Sequence, residues 1–325
     1  MRINITFADR YQEINTSIWR CFIPGKALER AGHEVTYGFL AELGEVDADA
    51  YLIERNVFEV LEPLAKLKRE SKHIVVTLDD FYDIMPDYIS SKGTWDSATL
   101  ARFHRGMKMA NVLITPNRLL CEDYRRYCPD VRYIPNYADM SLYHRIKHRR
   151  DTFNILWGGN STHLHSLKES GLLLAIEKLC QKHTNVRLVV VGDQMCHQTF
   201  EKYAPIIPSS WMPLYEWADF VSKTADLIVC PLSGEYDRRR SWVKAIDSVI
   251  NEIPMIASDI GPFNETGALL VSNTKKDWYN ALSDMVLSST RRNKVVASMK
   301  KKLGDVSIDA HVNEYLEALG EPSSI

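Results

Sequence analysis

The sequence predicts an α/β protein built from two Rossmann-like, doubly wound parallel sheets facing a cleft. Three observations carry that expectation. Short apolar runs alternate with helix-length segments through the first half, the alternation restarts near residue 151, and a polar, basic stretch separates the two series. Such alternation favours parallel strands joined by right-handed crossovers. With 325 residues, 45% hydrophobic and 25% charged, the chain has the length for two packed domains and the composition of a globular protein.

The elements follow in order. INITF, the helix-like SIWRCFIPGKALERAG stopping at Gly32, and HEVTYG read as strand, helix and strand. DAYLIER, VFEVLEPLAKLKRE, HIVVTL, NVLITP and VRYIP continue the series. The basic segment HRIKHRRDT marks the join, so an amino-terminal domain is expected over residues 1–150. A second domain, 151–305, opens on the strand FNILWGG and continues with a helix over about 166–183. VRLVVVGD, a helix near 214–224, LIVCPL, a helix starting near Arg240, PMIAS and ALLVS complete it. In residues 306–325, Ile308, Val312, Tyr315, Leu316 and Leu319 share one helix face ahead of the polar tail EPSSI.

Composition excludes several classes. No apolar run reaches the roughly 18 residues of a membrane span, and MRINITFADRYQE lacks the apolar core of a signal peptide, so a cytoplasmic location is expected. Cys21, Cys121, Cys128, Cys180, Cys196 and Cys230 form no C-x-x-C pair, which argues against a zinc site or a disulfide framework. His163 and His165 have no carboxylate or cysteine cluster beside them, so no metal is expected. The net charge of −2 conceals an uneven spread: residues 100–150 hold eleven Lys and Arg against Glu122, Asp123, Asp130 and Asp139. That stretch could face nucleic acid or another polyanion, or its charges could scatter over unrelated faces.

The densest chemistry lies in RRRSWVKAIDSVINEIPMIASDIGPFNE, residues 238–265. Arg240, Lys244 and Asp247 recur at i, i+4 and i+7, the spacing of one helical face that could hold a diphosphate and a ribose. PMIAS then has the length of a buried strand, and Asp259, Ile260, Gly261 and Pro262 turn away from its carboxyl end, where open α/β sheets bind ligands. Upstream, Gly158, Gly159 and Asn160 make a glycine turn after the strand ILW, a place for backbone N–H groups to approach an anion.

This segment resembles the donor-sugar region of the retaining, family-4 type glycosyltransferases of GT-B fold. The resemblance rests on Arg240, Ser241, Lys244 and Asp247, on Pro254 to Gly261, and on Glu265; PNYADMSLY resembles the segment closing the family's first domain. It covers about 153–265 with good specificity and the first domain loosely. The chain has Asp247 where the family usually has Glu, and Arg239 where many members carry the first Glu of a Glu-x7-Glu pair.

The resemblance implies a nucleotide-sugar donor and no metal or other cofactor. It makes Arg240 and Lys244 the stabilisers of the diphosphate leaving group. Asp247 is expected to hold the ribose hydroxyls and Ser241 to belong to the donor site. The loop Asp259, Gly261, Pro262, Phe263, Asn264 is expected at the sugar, and Trp211 and Met212 at the base, with Trp211 in the core as the alternative. It further implies front-face attack, the donor phosphate helping to take the acceptor proton, and a terminal helix packing back on the first domain. The acceptor is expected at the loops after the first domain's strands, at Asp9, Arg10 and Tyr11, at Glu54 and Arg55, and at Asp79, Asp80, Phe81 and Tyr82. Asp79 and Asp80 would hold hydroxyls, or one would act as a base with a raised pKa; an Asx turn is the alternative. The acceptor classes left open are a surface glycan, a lipid-linked saccharide reached by peripheral membrane contact, a small metabolite and a hydroxymethylated DNA base. A non-catalytic nucleotide- or carbohydrate-binding protein is the alternative that Arg239 suggests.

Overall fold

The computed structural model describes residues 1–8, 16–144 and 151–321. The chain divides into two units, one of Met1–Met140, Arg239–Ser241 and Val306–Ile325, the other of Ser141–Arg238 and Trp242–Asp305.

In the first unit β1 (Arg2–Phe7), β2 (Glu34–Phe39), β3 (Ala50–Glu54), β4 (His73–Thr77), β5 (Val112–Thr115) and β6 (Val131–Tyr133) form one sheet in the order β2-β1-β3-β4-β5-β6. Every pairing is parallel. All residues of β3 and β5 are buried, as a sheet covered by helices on both faces requires; this is why these strands read as continuous apolar runs. The helix Ile308–Ala318 belongs to this unit. Arg30 ties its first turn down by bridging Asp139 at 3.0 Å and Asp309 at 2.8 Å. Ala138 bonds through its backbone to Val306 and Ile308, each at 2.8 Å.

The second unit repeats the plan. β7 (Phe153–Gly158), β8 (Val186–Val191), β9 (Ile206–Ser209), β10 (Leu227–Cys230), β11 (Met255–Ser258) and β12 (Leu269–Val271) are parallel in the order β12-β11-β10-β7-β8-β9. Trp157, Leu188, Val190, Phe200, Trp278 and Leu282 pack the core on one face of this sheet. The α/β architecture is thus two six-stranded, doubly wound parallel sheets.

Two local expectations need correction, and one strand stands where none was expected. The helix expected over 166–183 is two helices, Leu164–Glu169 and Leu172–Lys182, because Gly171 between them is left-handed with φ 76°. The helix expected from Arg240 begins only at Lys244 and runs to Asn251. β9 was not foreseen: its Ile207 and Pro208 are exposed on the sheet edge, where Pro is tolerated and no apolar pattern is imposed.

Gly171 has a second reason to be glycine. A Cβ there would lie 2.7 Å from the Lys275 backbone nitrogen and 3.0 Å from the Thr274 carbonyl carbon, neither of which is a flexible side-chain end. Gly171→Ala is therefore expected to destabilise the second unit by about 2 kcal/mol or more, from the left-handed backbone and the clash together. Urea unfolding reads the loss, and a wild-type midpoint would refute it.

Candidate functional site

In an open parallel sheet, the crevice at a change of strand order is where ligands bind, outside the carboxyl ends. In the second unit that point lies between β7 and β10. The turn Gly158, Gly159, Asn160 leaves β7 here, packed tightly against tryptophan. A Cβ on Gly158 would meet the Trp217 ring at 2.8 Å, and one on Gly159 the Trp157 ring at 2.8 Å. The glycines thus answer first to these rings. Most of the turn's N–H groups are already bonded: Gly159 to the Val191 carbonyl at 3.0 Å, Ser161 to Asp193 at 2.8 Å, Thr162 to the Asn160 side chain at 3.1 Å, and His163 to the Asn160 carbonyl at 3.0 Å. Burial pushes the Asp193 carboxyl up, but the Cys196 and Ser161 donors outweigh it and hold the group below its ordinary range.

Lys244 is the first residue of its helix, half-buried, with its ammonium 6.0 Å from the centre of the Trp157 ring. One turn on, Asp247 is 3% exposed. The indole Nε1 of Trp217 donates to one of its oxygens at 2.9 Å and the Tyr143 hydroxyl to the other at 3.1 Å. Burial raises the Asp247 carboxyl to about 6, opposed by Trp217, Tyr143 and Lys244. The structure therefore brings together Gly158, Gly159, Lys244 and Asp247, joined by Trp157, Trp217 and Tyr143. Those three aromatic residues carried no motif of their own; the only signal was a tryptophan directly before a glycine pair.

After β11, Gly261 has φ 64°, and a Cβ there would stand 2.7 Å from the Arg238 Cα. Pro262 and Phe263 are buried and offer a ligand only backbone, whereas Asp259 and Asn264 are exposed. Trp211 is 46% exposed, which rules out the core alternative for it, and Met212 beside it is half-buried.

Arg240 and Ser241 do not share the helix of Lys244. With Arg239 they belong to the first unit, through contacts that explain why no helix starts there. Asn117 Nδ2 donates to the Arg240 carbonyl at 2.8 Å, occupying the oxygen that a helix would offer to the N–H of Lys244. Arg240 donates to Asp80 at 3.1 Å, and Ser241 Oγ accepts from Asn136 Nδ2 at 3.2 Å. Arg239 donates to Asp123 at 2.5 and 3.2 Å and lies 5.2 Å from the centre of the Phe81 ring.

The first unit changes strand order between β1 and β3. Glu54, the buried last residue of β3, accepts from the Ala8 N–H at 2.9 Å and the Ser17 hydroxyl at 2.6 Å. Burial pushes its carboxyl up against the pull of Arg55, Ser17 and Ala8. Arg55 has φ 22°, a strained value for a residue with a side chain, and its guanidinium meets Glu54 at 3.3 Å and Asp79 at 3.5 Å. Asp79 also accepts from Thr16 at 2.7 Å and Tyr82 at 2.8 Å. Burial alone would raise the Asp79 carboxyl, but Arg55, Thr16, Tyr82 and Arg240 together hold it below its ordinary value. The expectation of a raised Asp79 is corrected accordingly. Phe81 and Tyr82 are core residues: Tyr82 stacks on Trp95 at 3.8 Å, and Phe81 meets Tyr124 edge-on at 5.5 Å. Asp9, Arg10 and Tyr11 lie outside the described residues, as do 145–150 of the basic stretch. Within that stretch Arg102 donates to the Phe58 carbonyl, Arg118 covers the Tyr133 ring, Arg126 meets Asp83 and Arg132 pairs with Asp130. Among the described residues, no group of three or more His, Cys, Asp or Glu is arranged to hold a metal ion, and no helix is long and apolar enough to cross a membrane.

No family model matches the chain, and no curated protein matches it. Solved structures do. A sucrose-phosphate synthase from Thermosynechococcus elongatus is similar at 14% identity and TM-score 0.69 over 97% of each chain. An E. coli protein described as trehalose-6-phosphate bound with UDP-2-fluoro glucose is similar at 11% and 0.67, covering 98% of this chain and 99% of its own. A putative UDP-N-acetylglucosamine 2-epimerase from Listeria monocytogenes is similar at 12% and 0.65, covering 98% of this chain and 95% of its own. The fold is accordingly of GT-B type.

The buried Asp247 makes stability depend on pH with a definite sign. Its carboxyl is raised from an ordinary 3.8 to about 6, so the folded chain holds a proton that the unfolded chain has lost between those values. Stability attributable to this group falls as pH rises from about 4 to about 6, by at most about 3 kcal/mol. The difference in urea midpoint between wild type and Asp247→Asn, followed across that range, should change in this direction. A pH-independent difference would refute the assignment.

Proposed function

We propose that the chain is a retaining glycosyltransferase that moves a sugar from a nucleotide-sugar donor to a hydroxyl acceptor. The observation that carries this reading is Lys244. It is a half-buried cation at a helix amino terminus, and no carboxylate or carbonyl bonds its ammonium among the described residues. The helix dipole already makes that end positive, so lysine there is unfavourable until an anion arrives. A diphosphate leaving group is such an anion, and its charge grows as the glycosidic bond breaks. In this reading the exposed Asn160 and the backbone of Gly261 to Asn264 meet the donor around Lys244, with Trp211 open to stack on the base. Asp247 meets the ribose only by exchanging one of its present donors, Tyr143 or Trp217, for a ribose hydroxyl.

The first unit would supply the acceptor. Asp79, held ionised, suits the orientation of a hydroxyl better than removal of its proton, and the donor phosphate is the stronger candidate for taking that proton. Arg240 acts in this reading from its place beside Asp80. The separate engagement of Arg102, Arg118, Arg126 and Arg132 favours a surface glycan or lipid-linked saccharide over a hydroxymethylated DNA base. A second reading, a non-catalytic nucleotide- or carbohydrate-binding protein, is favoured by Arg239, whose bonds to Asp123 give it a structural role where a catalytic Glu would stand.

Thermal shift against nucleoside diphosphates and nucleotide sugars, run beside product analysis, tests these readings. A shift with one nucleotide class, lost in Lys244→Ala, is expected, with transfer lowered about 100-fold or more in that variant. Unchanged turnover would refute the role of Lys244. Binding without transfer, epimerisation or donor hydrolysis would establish the non-catalytic reading.

A further inference from the structure

Residues 275–303 carry eight basic side chains against Asp277 and Asp284 alone, in a chain whose net charge is −2. Six of the eight fall on the helix Ser289–Leu303, which contains no carboxylate. Two of those six are used by the fold. Arg292 donates to the Val286 carbonyl at 3.3 Å and lies 5.2 Å from the centre of the Phe153 ring, and Lys300 pairs with Glu252. Arg291, Lys294, Lys301 and Lys302 are exposed. At helical spacing they fall within an arc of about 100°, with Lys294 and Lys301 farthest from the buried Met299 and Lys302 at the edge nearest to it. Arg291 reaches Asp284 at 3.5 Å, both being exposed; no carboxylate pairs with Lys294, Lys301 or Lys302 among the described residues. The helix dipole accounts for lysines in the last turn but opposes Arg291 in the first. Just before this helix stands Leu287, 69% exposed, the highest value among the exposed large hydrophobic residues.

A basic stripe with a protruding leucine at its end matches a lipid interface in both charge and polarity. Cations meet headgroup phosphates, and the leucine enters the apolar boundary. A nucleic acid would use the cations and leave Leu287 in water, and this stripe offers no aromatic ring on which bases could stack. We infer that Leu287, Arg291, Lys294, Lys301 and Lys302 form a face of the second unit that docks on an anionic phospholipid surface. The inference is independent of the donor site, and it would bring the chain to acceptors carried by lipid.

Flotation of the full chain with vesicles of phosphatidylcholine, with and without about 30 mol% phosphatidylglycerol, tests it. Binding only to the anionic vesicles, weakened by salt, is expected. The triple variant Lys294→Gln, Lys301→Gln, Lys302→Gln should partition about 100-fold more weakly, at roughly fivefold per lysine. Leu287→Ser should weaken partitioning several-fold while leaving its salt dependence unchanged. Circular dichroism and the unfolding midpoint report whether the variants fold. Equal binding to neutral vesicles, no binding to either, or a triple variant that binds like wild type would overturn the inference. So would retention on heparin that the triple variant loses while vesicles are ignored. Thermal shifts with nucleotides should be the same in all these variants, which separates this outcome from that of the transferase reading.

Discussion

Both sheets bury their central strands on two faces, so polar side chains enter them mainly where the strands end. Glu54 closes β3, Thr77 closes β4, Thr115 closes β5 and Ser258 closes β11, each at most 1% exposed. A buried polar atom must find a partner or cost the fold its desolvation. Glu54 accepts from Ala8 and Ser17, Thr77 from Arg20, and Ser258 from the Leu232 N–H, while Thr115 donates to the Asn117 carbonyl. These bonds attach the loops beyond the strands to a lattice set by apolar packing. Candidate residues such as Arg55 and Asp79 are therefore held by the same contacts that satisfy the sheet, and strain such as the φ of Arg55 can persist there.

Arg20 shows how far this anchoring reaches. It lies in the π-helical turn Ile18–Phe22, is 1% exposed, and donates to Thr77, the Ile134 carbonyl and Asn136. Asn136 in turn donates to Ser241, so a guanidinium near the start of the chain fixes a residue more than two hundred positions later. Together with Asn117, Asp80 and Asp123, this network explains why Arg239–Ser241 departs from the helix that its spacing suggests. Local propensity favours continuation toward Lys244 by a few tenths of a kcal/mol per residue. These tertiary bonds outweigh it.

The sheet architecture was legible because buried parallel strands must be short and apolar, as the central strands are, and because the alternation with helices places the edge strands β2, β6 and β12 beside them; β9, an exposed edge strand, carries no such signal. Lys244, Asp247 and the turn at Gly261 were legible as well, since helical spacing and a Gly-Pro break are local signals. What escaped depends on partners distant in sequence. The demand of Trp157 and Trp217 for Gly158 and Gly159 appears only once the rings are packed. The direction of the Asp79 carboxyl depends on Arg55 and Arg240 arriving from other segments. The end of a helix at Gly171 was missed because a glycine within an apolar pattern does not reveal its backbone conformation, whereas φ 76° does.

The state of Asp247 bears on what the proposed donor site can do. A carboxylate with both oxygens already accepting, one from an indole and one from a phenol, has little need of a ribose hydroxyl. Its charge still lies near Lys244, which pulls its pKa down from the level that burial alone would set. An arriving diphosphate would compete with Asp247 for the field of that lysine and push the carboxyl further toward its neutral form. Protonated Asp247 could then donate a hydrogen bond rather than only accept. In that reading Asp247, which makes no bond to Lys244, offsets part of the lysine's charge through space and gives up that offset when an anion binds. The short Asp247 side chain suits this arrangement, because it keeps the carboxyl group buried between its Trp217 and Tyr143 donors.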